Sequence, residues 1–163
     1  MDHGRLFFST EATIPASAQS LFDIAADFAG HTKLAGSDEV LSINLVGSGP
    51  VGFGTVYECQ EKVRMGEDSM ELGTTGVVVT FDSPNTLSWI NTAQGVPLRR
   101  IQWWFHFKPK GAGTKVIHEV EVDFGELTDP MLISFRDNYE AGRAPYVRDG
   151  MKRTLENLAQ AVR

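Results

Sequence analysis

The sequence predicts an α+β fold in which antiparallel strands curve around one long C-terminal helix, and three observations predict it. The first is the helix: from Pro145 to Arg163 the apolar residues Val147, Met151, Leu155, Leu158 and Val162 recur at three- and four-residue steps, with Arg148, Lys152, Arg153 and Glu156 opposite. The second is the stretch of roughly one hundred residues before it, which reads almost wholly as strands separated by Gly, Pro, Asn and Asp clusters. The third is the shortness of the connections between those strands, too short for the crossovers that parallel pairing needs. One helix with a single apolar stripe cannot cover a wide sheet tightly, so a hollow between the two is expected.

Each element follows from local chemistry. Phe7 to Ile14 has the aromatic and β-branched content of a strand, and Pro15 ends it. Ala16 to Phe28 reads as a helix with Ser17 as N-cap and an apolar face of Leu21, Phe22, Ile24, Ala25 and Phe28, stopped by Gly30. His31 to Asp38 is a second short helix or a turn. Strands are expected at Val40 to Val46, Thr55 to Met65, Met70 to Phe81, Thr86 to Thr92, Leu98 to Lys108 and Lys115 to Phe124. The glycine-rich segment Gly47 to Gly54, the turns at Gly66 to Ser69 and Asp82 to Asn85, the loop Ala93 to Pro97 and the hairpin at Lys110 to Thr114 separate them. Asp129 to Arg143 has no single stripe, because Met131, Leu132, Ile133 and Phe135 are followed by Arg136, Asp137 and Asn138. It reads either as a lid across the open end or as a helix extension packed on the sheet rim.

Composition narrows the function classes. The 163 residues suit a single domain, 1–163, and Lys+Arg 15 against Asp+Glu 21 leaves a net charge of −6, which gives no general attraction to nucleic acid or anionic membranes. With no signal-peptide pattern and no apolar run near the ~20 residues of a membrane span, a cytoplasmic protein without membrane insertion is expected. Cys59 is the only cysteine, and its neighbours Glu58 and Glu61 disfavour a thiolate. His3, His31, His106 and His118 lie on different elements, and the Gly47 to Gly54 segment leads into a strand without a lysine. No metal and no nucleotide or other cofactor is therefore expected, and no Gly-x-Ser-x-Gly elbow is present.

Strand alternation assigns the candidate site. In the last strand Val116, His118, Val120, Val122 and Phe124 face inward, which makes His118 the one ionisable group on an apolar row. It is the candidate catalytic acid or base, with ligand contact and a satisfied core histidine as the other readings. Ile101, Trp103, Phe105 and Phe107 form the inner face of the strand before it. Trp104 then lies on the convex side, covered either by a partner in a homodimer or by neighbouring long side chains. Trp89 inward brings Asn91 inward too, near the cavity mouth. Tyr57, Cys59 and Glu61 share one row, with Tyr57 assigned inward. The expected ligand wall is Trp89, Asn91, Trp103, Phe105, His118, Val147 and Met151, with Tyr139 and Arg143 reaching an anionic or carbonyl group.

A family resemblance rests on Ile14-Pro15-Ala16-Ser17-Ala18 leading to Leu21-Phe22 and Asp27-Phe28, on Gly49-Pro50-Val51-Gly52-Phe53-Gly54-Thr55, and on Val78 through Asp82-Ser83-Pro84 to Leu87-Ser88-Trp89. It continues through Phe107-Lys108-Pro109, Gly113-Thr114-Lys115-Val116 and Gly150-Met151 with Thr154-Leu155-Leu158. In this order and spacing the chain resembles the polyketide cyclase/dehydrase and lipid-transport family of the START-like (SRPBCC, birch-pollen-allergen-like) superfamily. The resemblance implies a helix-grip fold, with a curved seven-stranded antiparallel sheet around the long C-terminal helix and two short helices after the first strand. It also implies a cavity for a small apolar or aromatic ligand, but no catalytic motif. A cyclase or dehydratase acting on a poly-β-ketone, a non-catalytic carrier or sensor of a lipid or apolar metabolite, and a regulator that meets a protein partner on its convex face all stay open.

Overall fold

A computed structural model describes residues 4–96 and 98–163, so the end of the expected loop at Pro97 and the first three residues, with His3, lie outside the described residues. The strands are β1 (Arg5–Ile14), β2 (Val40–Leu45), β3 (Val56–Met65), β4 (Asp68–Asp82), β5 (Thr86–Ala93), β6 (Arg100–Lys110) and β7 (Gly113–Asp123). They form one antiparallel sheet in the order β1-β7-β6-β5-β4-β3-β2. From β2 to β7 each strand pairs with its neighbour in sequence, as short connections require, and β1 closes onto β7. Register shifts between Val40 and Ser42 and between Val78 and Thr80 mark bulges, which bend a sheet locally.

The helices are α1 (Ala18–Ala26), α2 (His31–Leu34), α3 (Pro130–Gly142) and α4 (Ala144–Ala161), with a 3-10 turn at Phe28–Gly30. Ser17 caps α1 as expected, its Oγ accepting from the Ser20 N–H at 3.1 Å. Helix α1 buries Leu21, Phe22, Ala25 and Ala26. Phe22 meets Phe81 edge-on at 5.1 Å and Phe107 at 5.8 Å. Leu155 and Leu158 of α4 belong to the same apolar cluster. A second cluster joins Val147 and Met151 of α4 to Val120, Val122, Phe124 and Tyr139.

Of the two readings of the segment from Asp129, the structure accords with a helix packed at the sheet end: it is α3, a helix separate from α4 and capped by Asp129, whose Oδ1 accepts from the Met131 N–H at 2.8 Å. Phe135 and Tyr139 pack on Phe124, while Met131 faces outward at 79% exposure. The long helix begins one residue earlier than Pro145, with the proline in its first turn.

The link between α2 and β2 crosses α4 at close range. A Cβ on Gly36 would stand 2.5 Å from the Gly150 carbonyl oxygen and from the Thr154 nitrogen. Its absence lets the Gly36 N–H reach Thr154 Oγ1 at 2.9 Å, while that hydroxyl donates to the Gly150 carbonyl at 2.8 Å. This contact seats residues 35–37 against the helix and closes one side of the space beneath it.

Candidate ligand cavity

Between the two apolar clusters lies a partly open cavity of ≈ 110 Å³. Its roof is the N-terminal half of α4, through Val147, Gly150, Met151 and Thr154, and its floor is the inner face of β3, β5, β6 and β7. A cavity of about 150 Å³ takes a benzene ring, so this space has the scale of a single-ring molecule.

Register builds an aromatic floor. Trp89 of β5 pairs with Trp103 of β6, and Phe105 of β6 pairs with His118 of β7, so four rings from three strands share one surface. The Trp89 and Trp103 rings lie 6.5 Å apart at 15°, and His118 stacks on Phe105 at 4.1 Å and on Trp103 at 5.4 Å. His118 Nδ1 lies 2.9 Å from the Trp104 carbonyl oxygen, which can only accept, so Nδ1 carries the proton. Burial, opposed by that bond and aided by nearby His31, pushes the His118 pKa down to about 4. The ring is therefore neutral near pH 7, with Nε2 left as an acceptor.

A missing Cβ shapes the next part of the wall. Tyr57 of β3 stands opposite Gly76 of β4, which stands opposite Asn91 of β5. A Cβ on Gly76 would stand 2.1 Å from Tyr57 Cζ, so only glycine lets that ring lie across β4 and donate its hydroxyl to Asn91 Oδ1 at 2.7 Å. With Tyr57 inward, Cys59 and Glu61 follow by alternation, and both border the cavity. Burial and the Glu61 charge push the Cys59 thiol up to about 12, which removes it as a nucleophile. Burial raises Glu61 to about 7, against the lowering effects of Arg143 and the Thr74 hydroxyl and with a further rise from Glu39.

Arg143, in the junction between α3 and α4, meets Glu39 in a two-pronged pair at 2.6 and 2.7 Å and also donates to the Arg64 carbonyl at 3.2 Å. Glu39 is 4% exposed and further accepts from the Arg64 N–H at 2.7 Å. Burial alone would lower the Arg143 pKa, but the Glu39 pair outweighs it and the net shift is upward. His31 borders the other side, its Nε2 donating to the Ala25 carbonyl at 2.7 Å, and burial lowers its pKa as well.

Of the residues expected from sequence, Trp89, Asn91, Trp103, Phe105, His118, Arg143, Val147 and Met151 border this one cavity. Tyr139 does not: it is 7% exposed and packs against Phe124 behind Arg143. His31, Glu39 and Glu61 border the cavity too and were not among the expected wall residues. Glu61 had a usable signal, since it shares the alternating row of Tyr57; His31 opens the four-residue helix α2 and Glu39 sits in the link before β2, both too short for a period to assign a face. Among the described residues no group of three or more His, Cys, Asp or Glu side chains is placed to hold a metal ion. No helix of the described residues is long and apolar enough to cross a membrane.

Residues 6–163 match the family described as polyketide cyclase / dehydrase and lipid transport. No curated protein matches the chain. Among solved structures, the Zhui aromatase/cyclase from Streptomyces sp. R1128 is 11% identical with a TM-score of 0.68, over 98% of this chain and 96% of that one. TTHA0849 from Thermus thermophilus is 20% identical with a TM-score of 0.66, over 96% and 97% of the two chains. Ara h 8.0201 is 15% identical with a TM-score of 0.62, over 97% of each. At such identities the likeness is one of fold, the helix-grip arrangement of a seven-stranded sheet around a long C-terminal helix. With a family match over nearly its whole length and a fold shared with these structures, the chain belongs to the polyketide cyclase/dehydrase and lipid transport family.

Proposed function

We propose that the protein binds a small planar apolar molecule, aromatic in whole or part, in the cavity under α4. The observation that carries this reading is the stacked floor of Trp89, Trp103, Phe105 and His118 facing Val147 and Met151 across one space. Flat aromatic surfaces reward flat ligands through stacking and burial. Two versions of the function follow. A cyclase or dehydratase is favoured by the convergence of His31, His118, Glu61 and the Tyr57–Asn91 pair on that space. A carrier or sensor is favoured by His118 itself, whose Nδ1 is committed to Trp104 and whose low basicity suits an anchor better than a proton acceptor near pH 7.

The test begins with mass spectrometry of organic-solvent extracts from the purified protein, to identify any bound ligand. Met151→Trp should then empty the cavity of that ligand while the protein stays folded, because the larger side chain fills existing space. Equal ligand occupancy in the variant would move the site elsewhere. His118→Gln separates the two versions: a carrier loses affinity only, whereas a catalytic His118 would leave affinity within a few fold and slow turnover by about 10² to 10⁴.

A further inference from the structure

Of the eight large apolar side chains left exposed among the described residues, four lie in one short stretch: Leu41, Leu45, Val46 and Phe53. That stretch is β2 and the loop after it, and β2 is an edge of the sheet, paired with β3 alone. Native edge strands are commonly guarded by charged side chains. The opposite edge has them: β1 carries Arg5 and Glu11, which pair with Asp123 and Lys115. From Val40 to Tyr57 there is no Asp, Glu, Lys, Arg or His. The bulge between Val40 and Ser42 disturbs only the start of this edge, and from Ser42 onward the register is regular.

Backbone bonds show which groups of β2 point away from the sheet. The Val46 N–H donates to the Val56 carbonyl at 2.9 Å, and the Lys62 N–H donates to the Glu39 carbonyl at 2.9 Å. Bonding alternates along an antiparallel ladder, so Val56, Glu58, Gln60 and Lys62 of β3 turn their backbone groups toward β2, and Ser42, Asn44 and Val46 answer them. Ile43 and Leu45 therefore turn their N–H and C=O outward, where no other element of the described residues bonds them.

This edge is its own complement. Turned about a two-fold axis through Asn44, a second copy sets its Leu45 opposite Ile43 and its Ile43 opposite Leu45, which closes about four backbone hydrogen bonds and two apolar cross-strand pairs. No like charges meet along the strands, which favours a second copy as the occupant on a chain whose net charge of −6 makes other self-contacts repulsive. We propose that β2 is the interface of a symmetric homodimer in which two sheets join edge to edge, centred on Asn44. A strand of six residues gives a contact at the low end of specific interfaces, so the dimer is reversible, with a Kd on the order of 10–100 μM.

The experiment is sedimentation velocity on the full-length protein from about 5 to about 500 μM, over which monomer should give way to dimer. Asn44 is exposed and meets its own copy at the axis, so Asn44→Asp and Asn44→Lys each place like charges face to face. Each variant should keep the wild-type urea midpoint when dilute and dimerise about fivefold or more weakly, and an equimolar mixture of the two should recover the dimer. Wild type that stays monomeric at about 500 μM overturns the proposal. So does a dimer that both Asn44 variants retain, and if Trp104→Ser dissolves that dimer the interface is the convex face instead. Weakened association in each variant without recovery in the mixture removes Asn44 from the axis and overturns the pairing.

Discussion

In its C-terminal half α4 meets α1, and Leu155 and Leu158 share one dry cluster with Leu21, Phe22 and Phe107; in its N-terminal half the same helix looks across open space, with Val147 and Met151 above and Trp103, Phe105 and His118 below. The apolar period of the helix is the same in both halves, so the stripe does not make the difference. What differs is the filler. Helix α1 ends at Ala26, and the chain then turns through Phe28–Gly30 and α2 to the sheet edge, so that no α1 residue reaches the space beneath Val147 and Met151. A hollow in this fold is thus set by where a neighbouring helix stops.

The largest expected effect breaks the packed half. Leu158→Ala, at a position with 0% exposure, should cost about 3–5 kcal/mol in urea unfolding and leave ligand binding intact. Met151→Ala should cost less, by about 1 kcal/mol or more, because that side chain already borders a space. Equal costs would mean that the two halves are packed alike.

Gly76→Ala comes next. The added methyl must displace the Tyr57 ring, so a loss of about 1–3 kcal/mol is expected together with loss of the Tyr57–Asn91 hydrogen bond. A crystal structure of the variant with that bond unchanged would contradict this packing.

Smaller and opposite in sign are two pH effects confined to the open half. Glu61 is raised from an ordinary value of 4.5 to about 7, so between those values the unfolded chain has released a proton that the native protein keeps. Its contribution to stability therefore falls as pH rises from about 4.5 to about 7 and stays low above that range. His118 is lowered from 6.5 to about 4; its contribution is full above 6.5 and is lost as pH falls through about 4. Urea unfolding at pH 4.5 and pH 8 should show Glu61→Gln gaining stability relative to wild type mainly at pH 8. An equal shift at both pH values would mean that Glu61 titrates normally. The smallest effect is chemical: Cys59, pushed up to about 12, should resist alkylation by iodoacetamide at pH 8 until the protein is unfolded, and rapid native labelling would count against its placement.

The strands, the long helix and the aromatic floor were legible because each rests on a regular period. Val116, His118 and Val120 alternate on β7, and Val147, Met151 and Leu155 recur on α4, so their facing follows from spacing alone. The row of Tyr57, Cys59 and Glu61 was harder, since with Glu61 in it neither it nor the row of Glu58, Gln60 and Lys62 is apolar enough to decide the facing, and the glycine on the next strand is what makes room for the inward Tyr57 ring. Helix α3 was obscured because Met131 and Ile133, apolar in sequence, point to solvent. Tyr139 was assigned to the cavity on its polar group, yet its ring completes an apolar cluster and only its neighbour Arg143 reaches the space. Long-range pairing was the least legible: nothing in the local sequence ties Glu39 to Arg143.

That pairing has a consequence for how such a chain can change over generations. Glu39 is held by Arg143 and by the Arg64 backbone, so replacing Arg143 alone would strand a buried carboxylate, and replacing Glu39 alone would leave a guanidinium at the cavity edge without its partner. Either single step is disfavoured, while losing both together is not. Two positions 104 residues apart are in this sense one inherited character, and in related chains they should be kept or exchanged as a unit.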